Sequence, residues 1–121
     1  MLSEHFIKEE FRCPCGKCPE LLPSGILITK LEEVRGFIRQ PITITSGIRC
    51  KEHNKNVKGK RNSTHIYGYA VDISISNSAQ RFMITLAAMS MGIRRIGIGD
   101  SFIHLDVAPE PDWPQDVMWV Y

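Results

Sequence analysis

Two apolar, strand-like segments that also carry acidic residues and a histidine constrain the fold of this chain most. They are "YGYAVDIS" (67–74) and "FIHLDV" (102–107). Side chains alternate between the two faces of a strand, so His104 and Asp106 share one face while their apolar neighbours point the other way. A histidine and a carboxylate are costly to bury unless each has a partner. One face of the predicted sheet must therefore supply partners for these groups.

Helical and strand-like patterns along the chain predict an α+β fold, a small and mostly antiparallel sheet with helices packed on one face. The predicted helices run from Ser24 to about Arg39 and from Asn77 or Ser78 to Gly92, and the predicted strands are 42–46, 67–74, 95–99, 102–107 and 117–121. Their apolar sides are Leu27, Leu31, Val34 and Ile38 in the first helix and Phe82, Met83, Leu86 and Ser90 in the second. Residues 1–22 are expected to be irregular with a helical turn near Ser3 to Glu10, and residues 47–64 to form a polar loop.

Length and composition exclude several classes of protein. The 121 residues suffice for one domain, spanning 1–121, with a modest core. The composition, 43% hydrophobic and 23% charged, is that of a soluble globular protein, and a net charge of +2 gives no reason to expect nucleic acid as a partner. No apolar stretch approaches the roughly 18 residues of a membrane span. The acidic, mixed N-terminus "MLSEHFIKEEF" is not a signal peptide, so synthesis in the cytoplasm is expected.

One candidate metal site lies among the four cysteines. Cys13, Cys15 and Cys18 fall in "CPCGKC", and Cys50 stands apart. Without an export signal, thiols or a bound metal are favoured over disulfides. The motif fits a structural zinc held by its three cysteines and one further ligand. The alternative is a tight loop of buried thiols around Gly16.

His65, Asp72 and His104 together have the composition of a catalytic zinc site. On a straight strand His65 and Asp72, seven residues apart, would point to opposite faces, but Gly68 lets the chain bend so that they converge. The neighbouring strand adds His104. Two imidazoles and one carboxylate, with a fourth position left to water, are typical of catalytic zinc.

Longer motifs surround these residues. The pattern S-x-H-x-x-G-x-A-x-D is matched by Ser63, His65, Gly68, Ala70 and Asp72, "TSGxR" by Thr45, Ser46, Gly47 and Arg49, and H-x-D by His104 and Asp106. With "EFRCPCGKC" near the start and the ending from Trp119 to Tyr121, the chain resembles the zinc D-alanyl-D-alanine carboxypeptidases. These are LAS-type peptidoglycan metallopeptidases, and the chain resembles their small, single-domain branch. The signalling domain of hedgehog proteins also resembles this family.

This resemblance implies a function and a set of site residues. It implies that His65, Asp72 and His104 bind zinc, and that Arg49 lies beside them to stabilise an oxyanion and, with Ser63, to bind substrate. The implied substrate is a peptidoglycan stem peptide, which a carboxypeptidase or endopeptidase cuts next to a D-amino acid. The protein would then act at the cell wall, reached by phage-type release or by tail delivery. A monomer is expected.

The general base departs from the family pattern. Several relatives carry an acid or histidine two or three residues before the last zinc ligand, where this chain has Phe102 and Ser101. Asp106 is the first choice for the base and Asp100 the second. Asp106 alternatively orients His104 through its free ring nitrogen.

Two other classes of function stay open on sequence alone. One is a metal-stabilised module of the same fold that binds peptide or cell wall with little or no turnover, which the missing upstream acid favours. The other is an interaction module built on the "CPCGKC" cysteines.

Overall fold

The described part of the chain forms one sheet of five strands, three helices and two 3-10 turns. The computed structural model describes residues 2–18 and 21–121; residues 1, 19 and 20 of the segment predicted to be irregular lie outside the described residues. The helices are α1 (Gly25–Ile38), α2 (Lys51–Asn56) and α3 (Ser78–Ser90), and the strands are β1 (Ile44–Ser46), β2 (Ala70–Ser74), β3 (Arg95–Ile98), β4 (Phe102–Asp106) and β5 (Val117–Val120). One 3-10 turn, Lys8–Phe11, precedes α1, and a second 3-10 turn, Thr64–Tyr67, lies between α2 and β2. The predicted α+β class is confirmed.

The sheet is antiparallel except at one pair of strands. Its strand order is β1-β2-β4-β3-β5. The pairs β1–β2, β2–β4 and β3–β4 are antiparallel, and β3–β5 is parallel. The prediction of a small, mostly antiparallel sheet is therefore confirmed, and the last strand accounts for its single parallel pair.

The apolar face of the sheet packs against α1 and α3. Its central strands bury Val71, Ile73, Ile103 and Leu105 completely. From α1 the core receives Leu27, Leu31 and Val34, as predicted, with Ile38 packed partly buried at its edge. Among the described residues no helix has the length and apolar character that crossing a membrane requires.

Helix α3 buries a different side from the one its large apolar residues suggest. Phe82, Met83 and Leu86 are 66%, 40% and 40% exposed. The buried residues are Ile84, Ala87 and Ala88. Small alanines let the helix lie close to its neighbours, so side-chain size is a poor guide to the buried side here.

Several element boundaries differ from those predicted. The predicted loop 47–64 contains α2, whose six residues lack apolar periodicity and begin after Cys50, where the Cys50 sulfur accepts a hydrogen bond from His53 N. Strand β1 begins two residues later than predicted, at Ile44. Strand β2 begins only at Ala70, because the residues before it form the second 3-10 turn.

Candidate metal centre

Four residues in register form a row across the polar face of the sheet. Asp72 of β2 lies opposite His104 of β4, and His104 lies opposite Gly97 of β3. Gly97 in turn pairs with Trp119 of β5. Register and alternation together bring His104 Nδ1 within 3.1 Å of Asp72 Oδ1.

The 3-10 turn before β2 delivers His65 to the same carboxylate. At its start, His65 N donates a hydrogen bond to Ser63 Oγ. At its end Gly68 has φ +74°, a left-handed conformation that suits glycine, and the chain then enters β2. His65 Nε2 lies 3.3 Å from Asp72 Oδ1. The bend expected at Gly68 is therefore present, and it makes His65 and Asp72 converge.

Hydrogen bonds behind the two histidines fix which ring nitrogen faces Asp72. His65 Nδ1 donates to Gly47 O at 2.7 Å, and His104 Nε2 donates to Asp106 Oδ2 at 2.7 Å. Both partners are acceptors, so these nitrogens carry the protons of the neutral rings. The opposite nitrogens, His65 Nε2 and His104 Nδ1, face Asp72: without metal, a proton on either of them is shared with the Asp72 carboxylate, and a metal ion held there would take their lone pairs instead.

The spacing of the three groups fits a tetrahedral zinc ion. One donor atom from each of His65, Asp72 and His104 lies within 4.8 Å of the other two. Ligands about 2.0–2.1 Å from a tetrahedral zinc are separated by about 3.3 Å. The nitrogen-to-oxygen separations here are 3.3 Å and 3.1 Å. A tetrahedral metal ion held by these three residues would have one position left for water or substrate.

The ionisation of the three candidate ligands follows from their mutual contacts. Burial favours the neutral acid of Asp72, but hydrogen bonds from His104 and His65 outweigh it and hold the pKa of that carboxyl well below its usual range. Burial opposes the charged form of His104, but hydrogen bonds to Asp106 and Asp72 prevail and raise its pKa. A proton and a metal cation therefore compete for His104 Nδ1.

Asp106 lies behind His104 and is 1% exposed. Besides His104, its carboxylate accepts hydrogen bonds from Thr64 Oγ1 at 3.1 Å, Ala108 N at 3.1 Å and Arg95 Nε at 2.6 Å. Burial raises the pKa of Asp106, but His104 and Arg95 lower it by more. Of its two predicted roles, these contacts favour orientation of His104.

A cavity of about 520 Å³ opens above the three candidate ligands. Beyond the ligands, its walls include the basic residues Arg49, Lys58, Lys60 and Arg95 and the aromatic residues Phe102, Trp113, Trp119 and Tyr121. Among the described residues that line it, Asp72 is the only carboxylate; Asp106 is buried behind His104, and Asp100 lies exposed on the turn before β4. The cavity is thus basic and aromatic around the ligands.

Arg49 lies beside the ligands, where the sequence predicted it. Its Nη2 is 3.4 Å from Asp72 Oδ2, on the carboxylate oxygen that does not face the histidines. Its Nε donates to Ser46 Oγ and its Nη1 to Asn54 Oδ1, each at 3.2 Å. Ser63, the predicted substrate-binding residue, also lines the cavity. These contacts fix the guanidinium at the edge of the site.

Several residues that shape the site were not predicted as site residues from the sequence. Arg95 carried a usable signal, because it alternates with isoleucines along β3 and so had to share the polar face. Thr64 and the Gly47 carbonyl had none, since each reaches the site through a tertiary contact. The Trp119 ring lies 5.3 Å from that of His104, centre to centre, because Gly97 leaves the space between strands open.

Comparison with known proteins agrees with this geometry. A family model described as Peptidase M15 matches residues 4–106. The match includes His65, Asp72 and His104, whereas β5 lies beyond it. No curated protein matches the chain. The M15 family consists of metallopeptidases, and the match covers most of the 121 residues. The chain belongs to the peptidase M15 family, that of the zinc D-alanyl-D-alanine carboxypeptidases.

Proposed function

We propose that this protein is a zinc-dependent peptidoglycan peptidase that hydrolyses stem-peptide bonds next to a D-amino acid. The observation that carries the proposal is the convergence of His65 Nε2, His104 Nδ1 and Asp72 Oδ1 beneath an open cavity. Zinc held there would polarise the scissile carbonyl and lower the pKa of a bound water.

The surrounding residues suit the electrostatic part of this reaction. The Arg49 guanidinium is held by Ser46, Asn54 and Asp72, so a fixed cation stands next to the ligands before substrate arrives. Such a preorganised donor stabilises the negative charge that develops on the carbonyl oxygen. Asp106 holds His104 in the orientation and protonation state that a ligand needs.

The walls of the cavity support an anionic peptide as substrate. Arg49, Lys58 and Lys60 contribute positive charge, and Trp113 and Trp119 offer flat apolar surfaces. Stem peptides carry free carboxylates beside small apolar D-alanine side chains, which these walls complement. We therefore place the protein's action at the cell wall, with phage-type release or tail delivery as a proposed route. We propose that it acts as a monomer.

A second candidate function is a metal-stabilised module that binds cell-wall peptide without turnover. The specific observation in its favour is that Asp72, a ligand, is the only carboxylate among the described residues lining the cavity. A peptidase of this type needs a group that accepts a proton from the attacking water. Turnover by the intact protein separates the two candidates.

The test is digestion of purified peptidoglycan and of a synthetic stem pentapeptide ending in D-Ala-D-Ala. We expect new termini by mass spectrometry: free D-alanine from a carboxypeptidase, or monomers released from cross-linked dimers by an endopeptidase. The same peptide ending in L-Ala-L-Ala should resist cleavage. Binding to walls without any new termini would support the binding module instead.

Two histidine variants control this experiment. His65→Ala removes a proposed ligand and should abolish cleavage. His5→Ala removes a histidine whose ring contacts Glu32 at the protein surface, far from the site in sequence, and should cleave normally. Equal activity of both variants would overturn the proposed function.

A further inference from the structure

Four cysteines from two distant parts of the chain meet in one cluster. Cys13, Cys15 and Cys18 come from the segment that precedes α1, and Cys50 is the residue before α2. All four are free thiols, and their sulfur atoms lie within 4.8 Å of one another. The "CPCGKC" motif alone leaves the fourth ligand open, and the fold supplies Cys50. This thiol cluster is separate from the His65, Asp72 and His104 site.

The sulfur separations have the size that a metal requires. Cys13 Sγ lies 3.5 Å from Cys15 Sγ, and Cys15 Sγ lies 3.7 Å from Cys50 Sγ. Sulfurs joined in a disulfide stand about 2.05 Å apart. Four thiolates about 2.3 Å from a tetrahedral zinc are separated by about 3.8 Å. The cluster therefore has nearly the dimensions of a four-cysteine zinc site.

Backbone N–H groups donate hydrogen bonds to two sulfurs of the cluster. Lys17 N donates to Cys15 Sγ and Cys50 N donates to Cys13 Sγ, both at 3.4 Å. Hydrogen bonds from backbone N–H groups stabilise a thiolate, which is the ligand form of cysteine. The turn at Gly16 has φ +67°, which brings the chain round between the second and third cysteine of the motif.

The cluster also lies next to the chain segment that serves the catalytic centre. Cys50 directly follows Arg49, and Gly47 supplies the carbonyl that orients His65. This 47–50 segment is docked on the N-terminal segment, since Ile48 N donates to Phe11 O at 2.8 Å. Contact is so close at Gly47 that a Cβ there would lie 2.7 Å from Phe11 Cα.

We propose that Cys13, Cys15, Cys18 and Cys50 bind a second zinc ion, which fastens the N-terminal segment to the 47–50 segment. Four thiolates fill every tetrahedral position, so this zinc is structural and takes no part in hydrolysis. Its effect on the catalytic centre is to position Gly47 and Arg49.

Metal counting tests this proposal independently of activity. By plasma mass spectrometry the wild-type protein, purified under reducing conditions, should contain two zinc ions per chain. His65→Ala should contain one, Cys50→Ser one, and the His5→Ala control two. After cobalt replacement, the near-ultraviolet thiolate-to-cobalt absorption should persist in His65→Ala and disappear in Cys50→Ser.

A measurement on the wild type keeps the test valid if Cys50→Ser fails to fold. A mercurial reagent should release one zinc per four thiols titrated, as followed with a coloured chelator. Release of no zinc after all four thiols have reacted would overturn the proposal. A second result would also overturn it. In that result the wild-type protein contains one zinc, His65→Ala contains none, and the cobalt-substituted wild type shows no thiolate-to-cobalt absorption.

Discussion

Each candidate ligand histidine depends on one acceptor behind it. For His65 the acceptor is the Gly47 carbonyl, and for His104 it is the Asp106 carboxylate. Asp106 is held in place by Arg95, with which it shares a buried ion pair. The orientation of His104 thus rests on a chain of contacts that begins on strand β3.

Asp106→Asn separates orientation from proton transfer. An asparagine oxygen still accepts a hydrogen bond from His104 but loses the charge, so we expect zinc affinity to fall about 10- to 100-fold. Titrating zinc while following hydrolysis should then restore turnover. If the zinc-saturated variant is inactive, Asp106 is the general base. If that variant is active while Asp100→Asn is inactive, the turn residue carries the proton.

Arg49→Ala tests the fixed cation beside the ligands. Loss of one donor to a developing oxyanion costs about 10²- to 10³-fold in turnover, and we expect a loss of that size with zinc content unchanged. Lysine at this position should recover activity only in part, because a point charge replaces a planar fork. Steady-state kinetics on the stem pentapeptide measures both variants. Wild-type turnover in Arg49→Ala would exclude the oxyanion role.

At the scale of elements, strand alternation made the polar face predictable, whereas strand register did not. The alternation of "FIHLD" placed His104 and Asp106 on one face, as observed. The pairing of Gly97 with both His104 and Trp119 depends on where strands meet, which no local pattern encodes. The short helix α2 escaped prediction because its hydrogen-bonded start at Cys50, rather than an apolar stripe, defines it.

Gly97, which pairs with His104 on one side and Trp119 on the other, gives a prediction about strand packing. A Cβ at Gly97 would lie 2.6 Å from Trp119 Nε1 and 2.8 Å from Tyr121 Cε2, so Gly97→Ala must displace these two aromatic side chains. Overpacking of this kind costs about 1–3 kcal/mol, and we expect a loss of stability of that size in urea unfolding. Gly36→Ala is the matched control within α1, where a Cβ meets nothing within 4 Å.

The control should change stability with the opposite sign. Alanine stabilises a helix by about 0.5–1 kcal/mol relative to glycine. Gly97→Ala should also reduce hydrolysis, since Trp119 packs against His104. A Gly97→Ala protein as stable as the wild type would show that β5 does not pack as described.

At the scale of the whole molecule, the proposed zinc binding predicts that stability depends on pH. The raised pKa of His104 means that, without metal, its proton stabilises the folded state at low pH, and this contribution is lost as pH rises through that pKa. Zinc requires the unprotonated nitrogen, so its stabilisation grows with rising pH.

The difference in melting temperature between zinc-loaded and metal-free protein should therefore increase from about pH 5.5 to about pH 8. Scanning calorimetry at several pH values measures it. The same scans on His65→Ala, which lacks a ligand of this centre, report what the remaining sites contribute. A difference that shrinks with rising pH would contradict the coupling.

The central claim is that His65, Asp72 and His104 hold the metal of a peptidase. An anomalous-scattering map at the zinc absorption edge, from crystals of the zinc-loaded protein, tests it most directly. We predict a peak bonded to His65 Nε2, His104 Nδ1 and Asp72 at about 2.0–2.2 Å, with the fourth position facing the cavity. No peak there, or a peak bonded to His104 through Nε2, would contradict the account.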